Sequence, residues 1–287
     1  MSPDTPARTD PAKLLALLER VDAAADGTVE RVGVPTGFPS LDSMLGGGVR
    51  GGDLIALGGD VGVGKSALAL AIALRTAARG LGVRFLSGEM TTERLLERAL
   101  AIEGRVSIDA LRQGTVDETA RAALGAATLR LREMLPYFGP LAPTAKGVAA
   151  EIRQTRNGGR TAMVVVDSLE ALATGASQKD EELAAAVATL KGAAIEGDVP
   201  VILTTQLPGV VRDRPDPRPT LDDFGALGSV KQLADVVLGL YREELYQAAP
   251  GHEGATQLAV LKNRNGPLRL GDLYFFHQWL RFEDIAE

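Results

Sequence analysis

Short apolar runs alternate along the chain with longer segments whose apolar residues recur at helical spacing. The runs predict strands at 53–57, 83–87, 162–167 and 200–205, and the helical spacing predicts helices at 66–79, 92–103, 117–134, 146–156 and 181–196. Three further strand-like segments, 234–241, 257–261 and 273–282, follow, and the last is long enough for a hairpin. The pattern predicts an α/β fold, with a mostly parallel sheet between helices and a C-terminal antiparallel extension.

The beginning of the chain has a different pattern. Residues 1–10 are rich in proline, hydroxyl and charged side chains, which predicts a disordered tail. Within 11–31, leucines after Pro11 recur at helical spacing and predict an amphipathic linker helix. Its apolar face needs a partner, which is either its own domain or a neighbouring subunit. Residues 32–287 are predicted to form one α/β domain.

Composition and charge narrow the classes of function. The 287 residues include no cysteine, which excludes disulfides and thiolate metal sites. We expect no membrane span and no signal peptide, and therefore a cytoplasmic protein. The formal net charge of −6 gives no overall electrostatic signature of nucleic-acid binding. A groove or ring can still concentrate a few arginines.

The segment Gly59–Ser66 fits the pattern G-x-x-x-x-G-K-[ST] and lies between a predicted strand and a predicted helix. Glycines let the backbone curl so that successive N–H groups point at an anion, and the following helix N-terminus adds positive charge. Lys65 has the reach for the β and γ phosphates, and the Ser66 hydroxyl is a Mg²⁺ ligand. The predicted cofactors are therefore ATP and Mg²⁺, and the predicted nucleotide-binding residues are Gly59, Gly62, Val63, Gly64, Lys65, Ser66 and Ala67.

Polar residues at the ends of three other predicted strands are candidates for the chemistry, since open α/β sheets bind ligands at that edge. Asp167 ends an apolar strand and is a candidate Mg²⁺ carboxylate, the alternative being a helix cap. Glu89 follows another strand and is a candidate base for activating water, the alternative being an exposed glutamate at a helix start. Gln206 either senses the γ-phosphate or is a simple polar strand end.

A basic turn, Lys262–Pro267, separates two of the C-terminal strands. Most such segments are ordinary polar turns. Lys262 and Arg264 could instead reach a nucleotide on a neighbouring subunit, as an arginine finger does.

Taken together, these residues resemble the C-terminal, RecA-like motor domain of the DnaB family of replicative helicases. The resemblance covers most of the chain, and its most specific parts are the lysine–arginine turn followed by Gly-Pro and the late tryptophan. The matching segments are 35–38, 41–42, the phosphate loop, 87–90, 166–169, 205–207, 241–246, 262–267 and 278–279. The phosphate loop is also similar to those of RadA-like and KaiC-like ATPases.

The resemblance implies a RecA-like ATPase domain at 32–287 with a defined set of catalytic residues. Lys65 would act in the phosphate loop, Glu89 as base and Gln206 as γ-phosphate sensor, with Lys262 and Arg264 acting in trans. It also implies that Ser66 and Asp167 hold Mg²⁺, that the chain is a homo-oligomer forming a hexameric ring, and that the linker helix docks on the neighbour. A replication or loader protein is a further implied partner.

Two departures from the family pattern affect this interpretation. The family's N-terminal helical domain is expected to be missing, since only about ten residues precede the linker helix. The family's loop segment Asp-Leu-Arg-Glu-Ser-Gly is here Asp-Phe-Gly-Ala-Leu-Gly at 223–228, without an arginine, and residues 205–231 carry equal numbers of basic and acidic side chains. The candidate contacts to single-stranded DNA are nevertheless Arg212, Arg214, Arg218, Gly225 and Gly228.

Three functions remain open at this point. The first is an ATP-hydrolysing ring motor that translocates on single-stranded DNA and unwinds duplexes. The second is a DnaB-like paralogue with an ATP-controlled scaffold or assembly role and no unwinding. The third is a small-molecule kinase, which would share the phosphate loop but does not require the lysine–arginine turn.

Overall fold

A computed structural model describes residues 11–26, 33–158, 161–173, 179–209, 213–246 and 251–285. The predicted tail 1–10 and the candidate Arg212 lie outside these residues. The helices are α1 Ala12–Ala25, α2 Pro39–Met44, α3 Lys65–Ala77, α4 Thr92–Gly104, α5 Ile108–Gln113, α6 Glu118–Met134, α7 Ala145–Gly158, α8 Lys179–Gly197 and α9 Ser229–Leu233. The strands are β1 Leu54–Gly59, β2 Gly82–Ser87, β3 Tyr137–Pro140, β4 Thr161–Asp167, β5 Val201–Gln206, β6 Val236–Arg242, β7 Ala255–Asn263, β8 Leu270–Phe276 and β9 Arg281–Asp284.

The nine strands of the described residues form one sheet in the order β3-β2-β4-β5-β1-β6-β7-β8-β9. The pairs from β3 through to β6 are parallel, and β6 to β9 are antiparallel neighbours. The predicted fold class is therefore confirmed, including the C-terminal antiparallel extension. The parallel strands place the ends of β1, β2, β4 and β5 at one edge, where the polar candidates follow.

Hydrophobic side chains pack on both faces of the sheet. Successive residues of β1 alternate between the two cores: Ile55 and Leu57 pack with α3 and α4, and Leu54 and Ala56 pack with α7 and α8. All of β1 is buried. Each large aliphatic side chain buried in this way contributes about 1.5–3 kcal/mol of transfer free energy. This double-sided burial makes β1 a rigid base for the loop that follows it.

The predicted elements are present, with ends shifted by a few residues, and the described residues add four helices and strands that the pattern did not predict, namely α2, α5, α9 and β3. β3 extends the sheet beyond β2, and α5 is a single short helix between α4 and α6. The predicted linker helix is α1, whose Leu14, Leu15 and Leu18 side chains are exposed. Within the described ranges, no helix has both the length and the apolar character required to cross a bilayer.

Candidate nucleotide site

The phosphate loop connects the buried strand β1 to the first residue of α3. Gly62 and Gly64 have φ angles of 79° and 107°, which are left-handed values that side chains with a Cβ rarely adopt. A Cβ on Gly64 would also come within 2.9 Å of the Phe282 ring. The loop therefore needs glycine at these positions in order to deliver the chain to the N-terminus of a 13-residue helix, where anions bind.

Lys65 folds back over the loop. Its Nζ donates to the carbonyl oxygens of Gly59 at 3.1 Å and Asp60 at 3.0 Å. Burial lowers the pKa of this ammonium, and neighbouring carboxylates, Glu170 first among them, oppose the shift only in part. A polyphosphate in the loop would give this half-buried cation the counter-charge that favours its charged form.

Asp167 at the end of β4 is joined to the loop by hydrogen bonds. Its Oδ1 accepts from the Ser66 hydroxyl at 2.8 Å and from the Thr204 hydroxyl at 2.7 Å. Its Oδ2 is buried and has no hydrogen-bond partner among the described residues. Burial raises the pKa of Asp167, although the bonds from Thr204 and Ser66 oppose that shift.

The residues around Asp167 fit a bound Mg²⁺. A buried carboxylate oxygen without a partner is costly unless something compensates it, and carboxylate and hydroxyl oxygens are the ligands that this ion takes. The pairing of Ser66 with Asp167 therefore has the composition that the sequence predicted for the metal site.

Glu89 and Gln206 lie at the same edge as Asp167. Glu89 is exposed just after β2, and its Oε1 accepts from the Ser168 hydroxyl at 2.7 Å. Gln206 is exposed at the end of β5, and its backbone N–H donates to Glu170 Oε1 at 2.8 Å. Both side chains line the same cavity as Lys65, Ser66 and Asp167.

That cavity has a volume of about 440 Å³. Besides the predicted residues, it is lined by Arg98, Glu170 and Thr204, which no sequence motif had singled out, and by Ser168, which belonged only to the resembling segment 166–169. Arg98 is on α4, and its Nε is buried without a partner in the described part of the chain. Burial lowers the pKa of this guanidinium, and the nearby Arg112 acts in the same direction. Because Arg98 lines the cavity, an anion bound there would lie near its positive charge.

Arg242, at the end of β6, closes the other side of the loop. Its guanidinium donates to the Gly62 carbonyl at 3.3 Å and to Glu244, and lies 4.6 Å from the centre of the Phe275 ring. In the sequence, Arg242 is marked only by its place in the resembling segment 241–246. Through its contacts with Gly62 and Phe275, Arg242 links the phosphate loop to the antiparallel part of the sheet.

Lys262 and Arg264 lie at the opposite edge of the sheet, where β7 ends beside the start of β6. Lys262 Nζ donates to the carbonyls of Lys231 at 2.7 Å and Gln232 at 3.1 Å, at the end of α9. Arg264 donates to Asp235 Oδ1 at 3.1 Å and to the Gln232 carbonyl at 2.7 Å. The structure therefore does not bring these two cations into the cavity of their own chain.

The candidate DNA-binding residues that the structure describes lie in the loop that precedes α9. Arg214 donates to both carboxylate oxygens of Asp223 at 2.9 Å, and Arg218 pairs with Asp216 at 3.2 Å. Gly225 and Gly228 flank a short turn in which Ala226 and Leu227 have positive φ angles of 56° and 52°. In this structure the positive charge of both arginines is matched by aspartates of the same segment.

The sequence matches a known family over nearly its whole length. The DnaB-like helicase C terminal domain family matches residues 33–284. The replicative DNA helicase DnaB of Leifsonia xyli is 32% identical over 94% of this chain and 60% of its own length, and that of Geobacillus stearothermophilus is 31% identical over 89% and 57%. This chain thus spans about 60% of the length of the curated relatives it matches.

Solved structures agree with that match. A structure described as an ATPase domain superposes with a TM-score of 0.88 at 25% identity, covering 98% of this chain and 100% of the other. A DnaB-like replicative helicase, described with its interactions with primase, gives 0.86 at 25% identity over 100% of this chain and 69% of the other. On the sequence match and the fold, this chain belongs to the DnaB-like helicase C-terminal domain family.

Proposed function

We propose that this protein is an ATP-hydrolysing ring motor that moves on single-stranded DNA. One observation supports this most strongly: the sheet carries the phosphate-loop cavity at one edge and two cations, Lys262 and Arg264, at the other. Neighbouring copies in a head-to-tail ring would bring these two edges together. The family membership supports the same conclusion.

The residues at the cavity have separable roles in the proposed reaction. Lys65 and the N-terminus of α3 bind the phosphates, and Ser66 with Asp167 would hold Mg²⁺. When bound there, Mg²⁺ would supply positive charge that offsets the negative charge of the phosphates. Glu89 accepts a proton from the attacking water, and Ser168 orients its carboxylate. Gln206 contacts the γ-phosphate through its side-chain amide.

Lys262 and Arg264 serve the neighbour's nucleotide. β1, which links the two edges, has six residues, and at ~3.3 Å per residue it separates them by roughly 17 Å. Neither cation reaches that far from its own side of the sheet. A heterologous, ring-closing interface places the turn of one copy against the cavity of the next.

The family membership supports a proposal for assembly and partners. We propose a hexameric ring in which α1 lays its exposed leucines on the adjacent copy, which would answer the question that the sequence left open. The likeness to a helicase whose structure is described with its interactions with primase makes a primase or a loader protein a candidate partner.

DNA contact is proposed at the turn between Gly225 and Gly228, through backbone N–H groups rather than through Arg214 and Arg218. Both arginines are already bound to aspartates, which weakens any electrostatic grip. The same pairing favours the second candidate function, in which the chain is an ATP-controlled scaffold that does not unwind DNA.

Steady-state ATP hydrolysis with and without single-stranded DNA, at low and moderate salt, tests the proposal. A DNA motor predicts stimulation that fades as salt rises. Hydrolysis that is indifferent to DNA, together with no strand displacement on a forked substrate, would contradict the motor and support the scaffold.

A further inference from the structure

Asp235 lies between the lysine–arginine turn and the centre of the sheet, and sequence reasoning assigned it no role. Its backbone N–H donates to the Leu54 carbonyl at 2.9 Å, and its backbone carbonyl accepts from the Arg264 N–H at 2.8 Å. The side chain is only 9% exposed. Asp235 is thus fixed to β1 on one side and to the basic turn on the other.

The Asp235 carboxylate is shared between two cations. Oδ1 accepts from Arg264 Nη1 at 3.1 Å, and Oδ2 accepts from Lys191 Nζ at 2.6 Å and from the Leu54 N–H at 2.8 Å. Burial works against the charged form, but the Lys191 bond and the Leu54 N–H outweigh it and hold the pKa of Asp235 below its ordinary value. The carboxylate is therefore charged at neutral pH and pairs with the guanidinium.

This pairing orients Arg264 without using up its donors. A guanidinium has five N–H donors, and Asp235 and the Gln232 carbonyl each take one of them. The Arg264 side chain stays 49% exposed. The remaining donors can bind an anion presented from outside the chain.

We infer that Asp235 is a positioning residue that sets the direction of Arg264 toward the nucleotide of the neighbouring copy. The inference rests on the proposed trans role of Arg264. Lys191 also donates to the Gly52 carbonyl at 2.8 Å, which fixes the position of its ammonium. Its bond to Asp235 Oδ2 therefore holds the carboxylate in one orientation, with Oδ1 toward Arg264. Errors of about 1 Å in such placement cost on the order of 10²-fold in rate.

The first test compares the activity and binding of Asp235→Asn. The amide oxygen still accepts from the Leu54 N–H, while the charge that holds Arg264 is lost. We expect kcat for ATP to fall about 10- to 100-fold with unchanged nucleotide affinity. Glu151→Gln removes a carboxylate from the Arg84 ion pair elsewhere on the chain and should leave kcat unchanged. Wild-type turnover in Asp235→Asn would overturn the inference.

The second test separates positioning from a fold defect. Asp235→Asn and Lys65→Ala chains with different tags are co-expressed and purified over both tags. In mixed rings, a Lys65→Ala copy presents an intact turn to the intact cavity of an Asp235→Asn copy at roughly a quarter of the interfaces. We expect turnover above the mean of the two parent variants. The same mixture made with Arg264→Ala is the reference.

The possible results distinguish the two proposals. If the Arg264→Ala mixture regains turnover and the Asp235→Asn mixture does not, Asp235 acts within its own chain and the positioning role is wrong. If Arg264→Ala alone keeps full turnover, or its mixture gains none, the trans role itself is wrong and the positioning role falls with it.

Discussion

At the edge of the sheet that carries the phosphate loop, two buried atoms, Asp167 Oδ2 and Arg98 Nε, have no hydrogen-bond partner among the described residues. At the opposite edge, Lys262 and Arg264 each donate to two acceptors of their own chain. The first edge thus carries polar groups that its own chain leaves unpaired. The second is already ordered and presents its cations outward. Binding of nucleotide should therefore depend on one chain, whereas turnover should depend on two.

The largest effect is expected from Lys65→Ala, which breaks the phosphate-loop edge. Loss of the ammonium should reduce ATP turnover by roughly 10³-fold or more and also weaken nucleotide binding, because the β and γ phosphates lose their counter-charge. Turnover assays and calorimetric titration with ATP measure the two effects. Lys146→Ala, an exposed lysine on α7, is the control. Normal turnover in Lys65→Ala would show that the phosphate loop does not bind the ATP that is hydrolysed.

Glu89→Gln should separate chemistry from binding at the same edge. The amide keeps the shape and can still bond to Ser168 but cannot accept the proton, so turnover should fall about 10²- to 10⁴-fold. Nucleotide affinity should be preserved. Glu93→Gln changes an exposed glutamate in the first turn of α4 and should have no effect. Equal activity of the two variants would exclude Glu89 as the base.

Lys262→Ala tests the opposite edge with a smaller change. The ammonium has one N–H left after its two carbonyl bonds, so its loss should reduce turnover about 10- to 100-fold and leave ATP affinity alone. Lys231→Ala, on α9, keeps the accepting carbonyl and serves as the control. A loss of affinity in Lys262→Ala would mean that this cation acts in its own chain.

Arg98→Met should give the smallest effect. It should change nucleotide affinity and leave the contrast between the two edges of the sheet as it is. Removing a charge-assisted hydrogen bond to a phosphate is expected to weaken ATP binding about 10-fold. Arg94→Met removes an exposed arginine of the same helix and is the matched control. Unchanged titrations for Arg98→Met would show that its guanidinium does not contact the nucleotide.

The phosphate-loop edge was predictable because its signals are local. A buried strand that ends in a polar residue, such as 162–167, leaves that residue at the ligand edge of a parallel sheet whatever the rest of the chain does. The same local rule identified Glu89 and Gln206. The glycines at 62 and 64 follow from the backbone angles that the loop requires.

The remaining parts depend on tertiary contacts and have no local signal. Arg98 lies beside the apolar stripe of α4 and resembles any other helical arginine until α4 packs on the core. Asp235 precedes β6, and its partners Lys191 and Leu54 lie 44 and 181 residues away. β3 has four residues, including glycine and proline, which is too short and too atypical for strand periodicity to detect.

We propose that nucleotide is bound by one chain and hydrolysed with the help of the next, and the Arg264→Ala variant separates these two steps. ATP affinity and turnover are measured on the same preparation, with Arg269→Ala, an exposed arginine on the same hairpin, as the control. We predict unchanged affinity and a loss of turnover of about 10³-fold or more, as for other arginine fingers. Full turnover, or a loss of affinity as large as the loss of turnover, would contradict the account.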